Sequence, residues 1–174
     1  MLIDIAKQQL RKAGWYEGRK IDLTKYEKAY AEVGCKLFPA AKKFLEEYGD
    51  LDIQDKYIST ATYENGDHFI VINRSLIDVA YCCCPRDLKL EEMVDGLFHQ
   101  KILRVGAIDQ GEMNIFISED GRFFTNWNSV GLWAENSDQL WNEYYGEDYG
   151  WATWNDLKAG KGRTMFKKEI EKYL

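Results

Sequence analysis

Proline and histidine each occur only twice in the 174 residues, and the four cysteines are confined to Cys35 and the run Cys82, Cys83 and Cys84. Each scarcity excludes something. Adjacent cysteines cannot supply a spread disulfide framework, so they read as small hydrophobes in a reduced, cytoplasmic protein. A zinc site needs four ligands in spaced pairs, and no C-x-x-C is present. Hydrolysis by a Ser/His or Cys/His set needs a histidine beside a nucleophile. Neither His68, inside a β-rich run, nor His99, at a polar helix end, has one nearby. No run approaches the roughly 18 apolar residues that would span a bilayer. Met1 to Lys7 places Asp4 inside its apolar residues, unlike the basic lead of a signal peptide. Few prolines and no repeat leave no sign of a linker, so residues 1–174 are expected to form one domain.

Hydrophobic residues make up 45% of the chain, which excludes general disorder. The net charge of −6 is unevenly spread. Residues 1–43 hold ten bases against five acids, a net of +5, and residues 109–150 hold nine acids against Arg122 alone, a net of −8. Residues 158–172 return to +4, with six bases and two acids. An acidic centre repels phosphate, so the expected partner is a basic protein and not nucleic acid.

Apolar spacing divides the chain into a helical part, 1–50, a mainly β part, 51–135, and a second helical part, 136–174. Leu2, Ile5, Ala6, Leu10 and Ala13 fit one helix stopping at Gly14. Thr24 and Glu27 have capping-box spacing for a second, closing at Gly34. Pro39 opens a third, which ends at Gly49. Residues 57–63 and 68–72 flank Asn65 and Gly66, a hairpin signal in which both turn residues take positive φ. Leu76 to Cys84 reads as a further strand or extended segment, which would put Cys82 and Cys84 on one face and Cys83 on the other. A helix over 88–98 and strands over 101–108 and 114–117 follow. Asp120 and Gly121 then turn the chain into a strand over 122–125. Asn136 or Ser137 caps a helix ending at Gly146, and Thr164 caps a last one bearing Met165, Phe166, Ile170 and Tyr173. The order predicts an α+β fold: a central, mostly antiparallel sheet with N-terminal and C-terminal helices packed around it.

Acid pairs are common, as at Glu46 and Glu47 or Glu119 and Asp120, and paired acids can serve glycosidases or two-metal nucleases. Here they fall at helix surfaces and turns, where solvation or interface use is the ordinary role. The glycines around Lys161 lack P-loop spacing. Five of the six tryptophans, Trp127, Trp133, Trp141, Trp151 and Trp154, fall within 28 residues among acids. Two readings stand: large aromatics covering a thin sheet, or aromatic anchors ringed by steering charge.

Ala13, Gly14 and Trp15, then Gly18, Arg19, Ile21 and Asp22, resemble the opening of the third subgroup of the SUKH superfamily, the Smi/Knr-like immunity proteins. The resemblance continues through Phe38 to Ala41, Phe44 to Gly49, Val105 with Gly106 and Gly111, Ile115 to Phe123, and Ser137 to Gly146. Arg104 stands where the family has a proline, and the tail from Trp151 to Leu174 runs past the resemblance. The resemblance implies a SUKH-like α+β fold and a non-enzymatic immunity protein, without cofactor or metal, that binds a cognate bacterial toxin. The family's marker residues read as structural: Trp15 packing helix one on the sheet, Arg19 bonding a carbonyl or acid, Gly121 accepting positive φ. The expected toxin-binding residues are therefore the acids Asp50, Asp52, Glu119, Asp120, Glu135 and Asp138, with Trp127 and Trp133 as aromatic support. A nuclease toxin, basic as such enzymes often are, is the matching partner. The rival readings are a regulatory or scaffold module, and a small-molecule binder or carboxylate-based hydrolase. The last requires a cavity holding two acids with raised pKa values.

Overall fold

The computed structural model describes residues 1–82, 86–108, 111–126 and 129–174. Three helices open the chain, α1 (Asp4–Lys12), α2 (Thr24–Glu32) and α3 (Pro39–Tyr48). The strands β1 (Leu51–Thr62) and β2 (His68–Ile77) follow, then α4 (Val79–Cys82) and α5 (Leu88–Phe98). Next come β3 (Ile102–Ile108), β4 (Met113–Ser118), β5 (Phe123–Thr125), β6 (Gly131–Ala134) and α6 (Ser137–Tyr145). The chain closes with β7 (Asp148–Thr153), α7 (Trp154–Lys158), β8 (Thr164–Lys167) and β9 (Ile170–Tyr173). The expected α+β fold with a central antiparallel sheet is what the chain adopts.

The strands form one sheet in the order β8-β7-β6-β5-β4-β3-β2-β1-β9. Consecutive strands β8 and β9 thus occupy opposite edges, yet only Lys168 and Glu169 lie between them. Three virtual bonds reach about 11 Å at most. The two edges must therefore approach each other, and the sheet curls into a half-barrel strapped by the tail.

Both sides of β3–β6 are buried, which is why their residues read as continuous apolar runs. On one side, helices α1, α2, α3 and α6 share a core with Leu103, Val105, Ile115, Ile117 and Phe123. On the other, Leu90 and Val94 of α5, with Trp154 and Leu157 around α7, pack on Ile102, Phe116, Phe124, Leu132 and Ala152. Strand β1 instead alternates buried and exposed from Leu51 to Lys56, because no helix among the described residues covers the outer side of the sheet there.

Several local expectations need correction. The last helix is absent: its residues form β8 and β9, because β7 and β1 present open edges whose backbone groups need partners. Thr24 makes no side-chain cap on α2; Asp22 Oδ1 accepts its N–H at 2.9 Å instead. In the β1–β2 loop only Gly66 has positive φ, so the turn is not the two-residue type expected. The segment after Ile77 is helical because the Asp78 carboxylate accepts the Ala80 and Tyr81 amides. Cys82 consequently sits on a helix and is buried, whereas Cys83 and Cys84 lie outside the described residues. Asn136, not Ser137, caps α6. Strands β6 and β7 and helix α7 were not anticipated, although Thr153 and Asp156 form a reciprocal capping box opening α7.

Candidate functional site

The predicted acids divide into two groups. Ala134 of β6 pairs with Phe123, and Phe123 with Ile117, so the β4–β5 turn and the β6–α6 junction share one end of the sheet. Glu119, Asp120, Glu135 and Asp138 therefore lie toward that end. Asp50 and Asp52 stand at the start of β1, with β2 and β3 between them and β4.

Four of the six acids already have a cation. Asp50 pairs with Lys25 at 2.7 Å, Asp52 with Arg74, Asp120 with Arg122 at 2.6 Å, and Asp138 with the N-terminal ammonium. Arg74 hydrogen bonds hold the Asp52 pKa below the ordinary carboxylate range. Burial pushes the Asp120 carboxyl up, but hydrogen bonds from Arg122 and Ser118 outweigh it and lower the value. Asp50 is also a structural hub: φ is +63°, and the Tyr26 hydroxyl lies 2.8 Å from its Oδ1 and 3.0 Å from the Ile77 carbonyl. Glu119 accepts the Lys101 N–H. Among the described residues, Glu119 and Glu135 are the two of these six acids without an ion pair.

The tryptophans serve chiefly as core. Trp141 is fully buried, Trp133 is 6% exposed, and Trp151 and Trp154 are half-buried. Trp133 therefore offers no exposed anchor, and Trp127 lies outside the described residues. Trp15 is buried in the helix-facing core and donates to Glu47 Oε1, while Arg19 donates to the Glu47 carbonyl at 2.7 Å. Gly121 has φ +90°. All three marker residues thus have the structural roles their chemistry suggested.

A cavity of about 180 Å³ opens where the tail closes the half-barrel, lined by Asp55, Trp133, Glu143, Tyr144, Lys168 and Tyr173 among others. Asp55 points inward from β1 with Leu51 and Ile53, and burial raises its pKa against the opposing Tyr145 hydrogen bond at 3.0 Å. Lys168 donates to the Tyr144 carbonyl, which also accepts the Tyr173 hydroxyl at 2.8 Å. Desolvation lowers the Lys168 pKa to about 8, with Glu143 and Asp55 opposing. Glu143 is committed elsewhere: it pairs with Arg163, both side chains at most 10% exposed, and accepts the Gly150 N–H at 2.7 Å. A carboxylate hydrolase would need two acids free to exchange protons across a substrate. Here one is tied to an arginine and the cavity's cation is the chain's own lysine, so the cluster serves to anchor the tail.

A family model described as SUKH-3 immunity protein matches residues 4–145. The chain belongs to the SUKH-3 immunity protein family. None of the curated proteins and none of the solved structures compared matches it significantly. In this SUKH-3 protein the matched stretch runs from the first residue of α1 to the last of α6. Strands β7, β8 and β9, and with them Arg163, Lys168 and Tyr173, lie beyond the match. No helix among the described residues is long and apolar enough to cross a membrane.

Proposed function

We propose that this protein neutralises a cognate bacterial toxin domain in the cytoplasm by direct, stoichiometric binding, without catalysis or cofactor. The observation that carries the reading is the SUKH-3 match from α1 to α6. The architecture is compatible with it: a rigid curled sheet buried on both sides over β3–β6 presents its surface without reordering, so little entropy is lost on association. Residues capable of chemistry are spent on structure, as at Asp55, Glu143 and Lys168. For a basic nuclease toxin, Glu119 and Glu135 are the acids of the expected set that make no ion pair among the described residues.

The test is to sequence the genes flanking this one for a toxin domain and co-express the two, scored by survival and by co-purification as a 1:1 complex. Survival no better than with an empty vector would refute the reading. A scaffold module would instead come from an isolated gene and hold a non-toxic partner.

A further inference from the structure

Among the described residues, helices cover the outer side of the sheet over β3–β7 but leave β2, β1 and β9 bare. Alternation assigns the side chains that face outward there. Ile58 pairs with Ile70 and with Lys172, forming one row across β2, β1 and β9. Lys56 pairs with Ile72 and accepts the Leu174 N–H at its carbonyl, forming the next. Ile70, Ile72 and Leu174 are 57%, 64% and 44% exposed. Outward positions on a one-sided sheet are ordinarily polar, so contiguous branched aliphatics here leave apolar area in water that folding does not use.

The uncompensated charges here are basic. Lys56 and Lys172 are exposed and make no ion pair with any described residue, whereas Asp52 is held by Arg74 and Glu171 lies 3.9 Å from His68 Nδ1. A two-fold pairing of identical faces would bring these lysines together, which disfavours a second copy as the occupant. The matching surface has apolar side chains bordered by carboxylates.

We propose that the outer face of β2, β1 and β9 is where the toxin domain docks, its apolar side chains on Ile58, Ile70, Ile72 and Leu174 and its carboxylates on Lys56 and Lys172. This rests on the immunity reading and adds to it the surface and the local chemistry of the partner. Lys172 and Leu174 lie beyond the family match, so part of the face belongs to the tail of this chain.

The experiment uses the full chain and the toxin domain encoded beside it, with affinity, 1:1 co-purification and survival as readouts. Ile70→Thr/Ile72→Thr keeps β-branched residues at exposed positions, so the melting temperature stays near that of the parent. It is expected to weaken binding at least about tenfold and to reduce survival. Lys56→Glu/Lys172→Glu is expected to slow association about tenfold at low salt, less at high salt. Glu119→Gln/Glu135→Gln, at the acidic end, is expected to weaken binding less than either of these variants. If the parent binds and protects but the isoleucine and lysine variants do so equally well, this surface is overturned and the immunity reading stands. Loss confined to the Glu119/Glu135 variant overturns it likewise and places docking at the acidic end. Self-association of the free chain that Ile70→Thr/Ile72→Thr abolishes makes the face a homotypic interface, again overturning the proposal. A parent chain that neither binds nor protects defeats the immunity reading itself, and the docking assignment with it.

Discussion

The pair of Glu143 on α6 and Arg163 before β8 gives the sharpest test of how the tail is held. Both side chains are almost wholly removed from water, and Glu143 also accepts the Gly150 N–H from β7. The Arg163 guanidinium lies directly over Gly150, where a Cβ would collide with it. Glu143→Gln keeps an acceptor for both donors and removes only the charge, leaving a buried guanidinium uncompensated. Breaking a buried pair on one side costs about 3–5 kcal/mol. The retained hydrogen bonds place the expected loss at the low end, about 3 kcal/mol. At roughly 2–4 °C per kcal/mol for a chain of this size, the melting temperature should fall by roughly 6–12 °C. Arg163→Met should cost a similar amount, and the double variant clearly less than the sum, with a coupling of about 1.5 kcal/mol or more. Urea unfolding of the four proteins supplies these energies, and amide exchange reports whether β8 loosens first. The argument is refuted if Glu143→Gln costs less than about 1 kcal/mol or if the two changes are additive within about 0.5 kcal/mol.

Three further outcomes are expected. Lys168 titrates near 10.5 in the unfolded chain and near 8 in the folded one, so between those values the unfolded state holds more protons and stability rises with pH. The rise should run from about pH 8 to about 10, where ionisation of unfolded tyrosines begins to oppose it. Lys168→Met should flatten it, and an unchanged slope in urea titrations would contradict the buried placement. Tyr26→Phe removes the hydroxyl shared by Asp50 and the Ile77 carbonyl, and should cost about 1–3 kcal/mol by urea unfolding. A loss within a few tenths would mean that water replaces it. Ending the chain at Gly162 strips the partners from the open edges of β7 and β1 and uncovers the Asp55 cavity. That chain should aggregate or melt without cooperativity in size-exclusion and calorimetric runs. A monomer melting within a few degrees of the parent would show that the strap is dispensable.

Tail and core differ in how much local pattern decided them. Helices α1 to α3 were legible because their apolar spacing, Pro39 and the glycines at positions 14, 34 and 49 act within a few residues. The same holds for α5, α6 and the strands β1 to β5, whose turn residues and alternation are local signals. In the sequence the acids are distinguished only by residue type and by their place in turns and at helix ends. Sequence could not reveal that Lys25, Arg74, Arg122 and the N-terminal ammonium neutralise four of them, since most of those partners are remote in the chain. The Trp133 side chain was equally ambiguous, because an aromatic beside acids reads alike at a surface and over a core.

By itself, then, the sequence determined the α+β class, the helical lead, the hairpins, and through its motif order the resemblance to the SUKH-3 family that the family match bears out. Tertiary structure alone decided the fate of residues 164–173, the outer face of β1 and β2, and the buried cluster around Asp55. Met165, Phe166, Ile170 and Tyr173 suit a helix or two strands. They become strands because two sheet edges, supplied by residues far away in the chain, offer unpaired backbone groups at the place where the tail arrives. Ile70 and Ile72 stay in water because the outer helices α5 and α7 pack over β3–β7 and do not reach them.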